Sequence, residues 1–338
     1  MKPEFSIVIP TKNSVGIIDG LINALSNQDF DHQYEIIFLV TESTDGTADF
    51  LQQTSFTQKK IIHIPKAEFS HSKTRMKGVE LAQGKTIIFF TEDIIPIGRD
   101  FLTRLTTPLL EHSASAVYGV YQTDPVTGDP LQAFLDNDWY QNVPDITEPI
   151  SEQRWSQMSP YARRSACNFD NCASCIDRNT LLEFQLPDVP YGEDMFFARR
   201  LLVNNKRIGI VKKAKFYHWH HTSFGYTLKR MCLDQHLSLK EFGISYVKNK
   251  LDLIWKIGSR LLHRSAICFF LLPIPLKKKM FWAWYQAKTV SAEFLGKYIG
   301  KLNEKETDKI FNPINKRMYR LKQTILHEVS QKSIPRNP

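Results

Sequence analysis

The chain has 338 residues, 42% hydrophobic and 23% charged, with only 15 Gly and 17 Pro; this excludes collagen-like and disordered classes and fits one large α/β domain with an appendage, or two domains. Five cysteines, an odd number in a long chain, argue against a secreted disulfide scaffold, and Met1 to Pro10 shows neither a long apolar region nor a cleavage site, so a reducing, cytoplasmic setting is expected. The net charge of +9 is unevenly placed: residues 1–239 carry 24 Lys+Arg against 28 Asp+Glu, and residues 240–338 carry 20 against 7, which points to an anionic partner for the last third.

Short apolar runs alternate with amphipathic stretches through the first hundred residues, the pattern of βαβ units. Phe5 to Pro10 reads as strand, Val15 to Asn27 as helix, Glu35 to Val40 as strand and Thr47 to Gln53 as a short helix. Lys60 to Ile64 is a third strand, His71 to Gln83 a helix and Thr86 to Phe90 a fourth strand. Right-handed crossovers would place the strands' carboxyl ends, where ligands bind, on one edge. From Ala116 to Arg164 the Pro and Asp clusters predict long loops over a site. A helix from about Asp194 to Asn204 follows, then short strands Arg207 to Val211 and Ala214 to Trp219, and beyond Phe224 mainly helix to the end.

Four stretches carry candidate chemistry. LVTESTDGT puts Glu42 and Asp45 just past a strand, where they can hold a sugar or base edge; an Asp helix cap is an equal reading. TEDIIP offers Glu92 and Asp93 as hard oxygen ligands for Mg²⁺ or Mn²⁺, although taken alone a solvated acidic turn is the commoner outcome. In YGEDMFFARRLL the stripe Met195, Phe196, Ala198, Leu201 and Leu202 would bury a helix and fix Glu193 and Asp194 at its N-terminus. Such an acid can act as a general base or merely cap the helix. FYHWHHTSFGY places His218 and His220 on one face of a strand, able to bind a metal or a diphosphate, while a core or surface imidazole is commoner for either. Cys167, Cys172 and Cys175 lack a second CxxC pair, so buried thiols are expected rather than zinc.

Taken in register, FSIVIPTKN, EIIFLVTESTDGT, FSHSKTRMKGVELAQGK, TEDIIP and YGEDM with its histidine-bearing strand resemble a family 2 glycosyltransferase over about residues 4–230. Within that family the likeness is to bacterial rhamnosyltransferases, where a TQD-type motif replaces DxD. The resemblance implies a GT-A fold, an α/β Rossmann-like, mostly parallel sheet flanked by helices, over residues 1–230, with a mainly helical basic region over 231–338. It implies a nucleotide-sugar donor held by Pro10, Thr11, Asn13, Glu42, Asp45, Lys73, Arg75, Glu92 and Asp93. It further implies Mg²⁺ or Mn²⁺ on Asp93 with His218 or His220, and Asp194, with Glu193 beside it, as the base of an inverting transfer. Two departures stand out: Val40 closes the second strand where an acid usually binds the base, and Thr91 takes the first acidic position of DxD. The second is consistent with weak or absent metal dependence.

In KLDLIWKIGSRLLHR, Leu251, Ile254, Trp255 and Leu262 share one helical face, and the 11 residues from Ala266 to Leu276 are too short and too proline-broken to span a bilayer. With Lys277 to Lys279 and FWAWY following, residues 250–285 suit an anionic membrane surface, or alternatively packing on the core or in a homodimer. A peripheral place on the cytoplasmic face of the inner membrane would fit a glycan or lipid-linked glycan acceptor in O-antigen, capsule or other surface polysaccharide synthesis. Three other readings fit parts of the sequence. A nucleotidyltransferase needs a Gly-rich basic loop that PTKNSVG matches poorly; a nucleic-acid binder leaves TEDIIP and GEDM without a role, so no nucleic acid is expected; and a non-catalytic GT-A-like scaffold is kept open by Val40 and Thr91.

Overall fold

Runs rich in β-branched and aromatic residues form the first strands: β1 (Phe5–Thr11), β2 (Tyr34–Thr41), β3 (Lys59–Ile64) and β4 (Thr86–Phe90). Every residue of β1 is buried, as are all but Tyr34 of β2, which is what a parallel strand covered on both faces requires. The structure, a computed structural model, describes residues 2–136, 139–189, 191–302 and 313–331. Five further strands follow: β5 (Ile95–Pro96), β6 (Ala116–Gln122), β7 (Ile146–Thr147), β8 (Ala173–Asp177) and β9 (Ile208–Tyr217).

These nine strands make one sheet in the order β3-β2-β1-β4-β8-β6-β9-β5, with β7 paired to β9. The expected parallel sheet holds for β3-β2-β1-β4 and for β6 with β9, but β8 lies antiparallel between β4 and β6, so the sheet is mixed. The loops expected from Ala116 to Arg164 are a correction: that stretch contains β6, β7 and the short helices Pro130–Asp136, Glu152–Gln157 and Pro160–Ala166. The two short strands expected near residue 210 are one strand, β9, broken by a register shift opposite Gly119 and Val120. Lys212 and Lys213 sit at that bulge, which is why their charge reads as a gap in the apolar pattern.

The chain divides into two units, Met1–Asp124 with Asp136–Met158 and Ser165–Trp219, and Pro125–Leu135 with Ser159–Arg164 and His220–Pro338. In the first, Ile7, Ile9, Phe38, Phe90, Phe101 and Phe216 belong to one buried cluster on the sheet. The second is helical: Phe224–Phe242, Lys250–Ala266, a π turn Ile267–Leu271, Leu276–Lys301 and Pro313–Gln331. Helix Leu276–Lys301 lies against Phe224–Phe242 at Gly296 and Gly300, where any Cβ would strike the carbonyl oxygens of Leu228 and Cys232. The expectation of helix to the chain end falls partly on residues 303–312 and 332–338, outside the described residues. Among the described residues no helix is long and apolar enough to cross a membrane.

Candidate functional site

The carboxyl ends of β1, β2 and β4 converge on one edge of the first unit, and their loops are tied to one another. The backbone N–H of Lys12, just past β1, donates to Glu92 Oε2 at 2.7 Å, so the buried Glu92 joins the end of β1 to the end of β4. Asn13 sits at φ 47, donates its N–H to Ser43 Oγ at 3.0 Å and accepts from Thr44 N–H through Oδ1 at 2.9 Å. Asp45 Oδ2 accepts from Val15 N–H at 3.0 Å, and its Oδ1 accepts from both the N–H and the hydroxyl of Thr47. Burial opposes ionisation of Asp45, yet the bonds from Thr47 and Val15 hold its carboxyl below the usual range. Asn13 and Asp45 therefore shape the two loops, while Glu42 is exposed beyond the end of β2 and Val40 is buried in the core. Pro10 and Thr11 end β1 as buried residues.

Helix His71–Leu81, capped by Ser70 Oγ accepting from Lys73 N–H, carries the two expected cations, and the structure separates them. Lys73 is exposed and pairs with Asp188 at 2.8 Å. Arg75 is buried, with its guanidinium 6.0 Å from the Phe89 ring centre, and its Nη1 donates to His71 O at 3.2 Å and to Glu193 Oε1 at 3.3 Å. Ser72 Oγ adds a 2.6 Å bond to Pro187 O, so this helix is fastened to the segment that leads into the acidic pair.

Glu193 and Asp194 open helix Glu193–Val203, as expected, after Gly192 at φ 77 in the left-handed region that glycine enters without strain. Burial of Met195, Phe197, Ala198, Leu201 and Leu202 holds this helix in place; Phe197, rather than the expected Phe196, is the fully buried phenylalanine. Asp194 Oδ1 accepts from Met195 N–H at 2.8 Å. Burial first, then the charges of Glu193 and Asp170, push its carboxyl up to about 8, against the pull of Arg75 and that backbone bond.

Asp93 meets His218 because β5 pairs antiparallel with the end of β9, Ile95 opposite Tyr217. Asp93 Oδ1 lies 3.5 Å from His218 Nδ1, and both side chains are largely buried. His220, two residues further along the chain, belongs to the second unit. Thr91 is buried, its N–H donates to Cys172 O at 3.0 Å, and its hydroxyl has no partner among the described residues.

Asp170, and the place of Cys172 beside His218, had no signal in the sequence. Asp170 accepts from Cys172 N–H at 2.8 Å through Oδ1 and raises the carboxyl of Asp194. Cys172 Sγ stands 4.0 Å from His218 Nε2, and burial with the charges of Asp170 and Asp93 keeps it a thiol. Both arrive because β8 pairs with β4, Ala173 opposite Phe90; NFDNCASC carries no local signal of that pairing. Cys167, Cys172 and Cys175 are free thiols, Cys167 and Cys175 buried as expected and Cys172 half-buried.

Asp93, Asp170 and Glu193 outnumber Arg75 in a largely buried region even with the Asp194 carboxyl held up to about 8, an excess of acids suited to a divalent cation. Asp93 and His218 could offer such a cation an oxygen and a nitrogen donor.

The sequence model described as Glycosyl transferase family 2 matches residues 6–186, which include every expected donor-binding residue and end short of Glu193, Asp194, His218 and His220. Over 135 residues the chain is 29% identical to TuaG of Bacillus subtilis, named as a teichuronic acid biosynthesis glycosyltransferase, covering 40% of this chain and 53% of TuaG. Over 220 residues it is 22% identical to the poly(ribitol-phosphate) β-N-acetylglucosaminyltransferase TarS of Staphylococcus aureus, covering 64% of this chain and 35% of TarS. The chain thus spans about half of the first relative and about a third of the second. The crystal structure of TarS 1–349 in complex with UDP is similar with a TM-score of 0.50 at 17% identity, over 92% of this chain and 93% of that one. Mannosyltransferase PcManGT of Pyrobaculum calidifontis, in complex with GDP-Man and Mn²⁺, is similar with a TM-score of 0.50 at 14% identity, over 98% and 86%. At such identities the likeness establishes the fold, which is GT-A.

Proposed function

The chain belongs to glycosyl transferase family 2, and on that premise we propose that it is an inverting transferase that moves a sugar from a nucleoside diphosphate to a hydroxyl of a cell-surface polymer precursor. The observation that carries the mechanism is Asp194, a carboxyl held up to about 8 at a fixed helix N-terminus in the same unit as the Asp93–His218 pair. A base with a pKa near the working pH accepts a proton most effectively. The acceptor oxygen attacks the anomeric carbon and its proton passes to the Asp194 carboxylate. The bond from that carbon to the diphosphate breaks, and its electron pair leaves with the nucleoside diphosphate. One displacement inverts the carbon. A divalent cation on Asp93 and His218 would supply positive charge for the departing diphosphate. Arg75 holds Glu193 in place and keeps a positive charge beside Asp194. Thr11, Asn13, Glu42 and Asp45, in the loops past β1 and β2, are proposed to meet the nucleoside, and Lys73 to meet the donor once released from Asp188.

The names of TuaG and TarS support a role in cell-surface polymer synthesis, and the likeness of TEDIIP to a TQD-type motif supports rhamnose as the sugar. The test is a screen of thymidine-, uridine- and guanosine-linked sugars, with and without Mn²⁺ or Mg²⁺, reading nucleoside diphosphate release and thermal shift. Stabilisation and slow hydrolysis with one donor are expected, thymidine diphosphate rhamnose being the first to try. Absence of binding by every donor under every metal condition would overturn the transferase reading in favour of a non-catalytic scaffold.

A further inference from the structure

Helix Lys250–Ala266 has two apolar stripes, and its own fold uses one. Leu253, Ile257 and Leu261 pack against the cluster of Val290, Phe294 and Tyr298. The other stripe follows the spacing i, i+3, i+4, i+11 and stands in solvent: Leu251 is 78% exposed, Ile254 67%, Trp255 68% and Leu262 76%. Gly258 continues that stripe, and a Cβ there would meet nothing. Further exposed apolar side chains follow along the chain, Phe270 at 85% in the π turn and Trp284 at 62% in the first turns of Leu276–Lys301. An isolated exposed leucine needs no explanation, but six large apolar side chains exposed within 34 residues do.

Charge identifies the occupant. Residues 250–285 contain seven Lys and Arg and a single acid, Asp252, which is already paired with Lys256 at 3.1 Å. Lys277 and Lys278 are exposed beside the aromatic residues. A second copy of the chain would bring like-charged lysine runs together, whereas an anionic lipid surface offers apolar depth and phosphate at once. We propose that residues 251–284 form a docking surface whose Leu, Ile, Trp and Phe side chains enter the interfacial layer of an anionic bilayer while Lys277 and Lys278 meet its phosphates. This inference stands apart from the transferase reading and uses no residue of the candidate site.

The test is co-sedimentation of the full chain, at low and high salt, with phosphatidylcholine vesicles with and without about a third phosphatidylglycerol. Binding is expected with the anionic vesicles and should weaken with salt. Lys277→Glu with Lys278→Glu should lower partitioning roughly fivefold or more per lysine, and Trp255→Ser with Phe270→Ser about tenfold or more. These positions are exposed, so unchanged circular dichroism and melting are expected of both variants, and vesicle loss then reports the surface itself. The proposal is overturned if the chain ignores anionic vesicles at low salt, or if both variants bind as the native chain does. It is equally overturned if the native chain is a dimer without vesicle affinity that Trp255→Ser with Phe270→Ser dissociates, because the face is then a contact between copies.

Discussion

Replacing Asp194 by Asn should abolish transfer while making the folded chain more stable at alkaline pH, two effects of opposite sign from one site. The carboxyl rises from its ordinary 3.8 to about 8 in the folded chain. Between those values the folded state holds a proton that the unfolded state has lost, so this group makes stability fall as pH rises from about 4 to about 8. Each unit of the displacement that survives coupling to Glu193 is worth about 1.4 kcal/mol, or roughly 2–4 °C of melting temperature in a chain of this class. Asn keeps the size and the acceptor oxygen for Met195 N–H and has no charge to bury. A melt at pH 8.5 or so should therefore show the variant at least about 2 °C above the native chain, with the gap closing near pH 4. Nucleoside diphosphate release with donor and acceptor should fall by about 100-fold to 10,000-fold, the range for loss of a general base. A variant that retains most activity, or one that melts several degrees lower at alkaline pH, would show that Asp194 is a structural cap.

Neighbouring charges should move the acid limb of kcat/KM in opposite directions. Glu193→Gln removes a charge that raises the Asp194 carboxyl and should shift the limb to lower pH by about one unit. Arg75→Gln removes one that lowers it and should shift the limb upward, so equal movement in both variants would sink the assignment. His218→Ala and Asp93→Asn should each weaken Mn²⁺-dependent donor binding about tenfold or more, with Mn²⁺ supporting the native chain better than Mg²⁺; titration calorimetry in each metal reads this directly. In the helical unit, Gly300→Val would force helix Leu276–Lys301 away from the Cys232 carbonyl and should cost about 1–3 kcal/mol in urea unfolding. An unchanged midpoint would mean that the close approach of those helices contributes nothing.

Elements set by local pattern were readable from the sequence because periodicity and capping act within a few residues. Phe5–Thr11, Tyr34–Thr41 and Thr86–Phe90 are short apolar runs rich in β-branched and aromatic residues, which suit inner strands, and Gly192-Glu193-Asp194 before an apolar stripe suits a helix start. These features carried the acids to the strand ends and placed the fold class. Pairing between distant segments was decided by the tertiary structure. β8 enters the sheet antiparallel to β4, which brings Asp170 and Cys172 to the site; Arg75 crosses to Glu193, and Lys73 turns away to Asp188. The same holds for helix Lys250–Ala266, where the sequence shows apolar residues on more than one side and only packing against Val290 and Phe294 determines which stripe is buried. Strand register and helix contact depend on backbone hydrogen bonds and shape across dozens of residues, and no short window of sequence contains both partners.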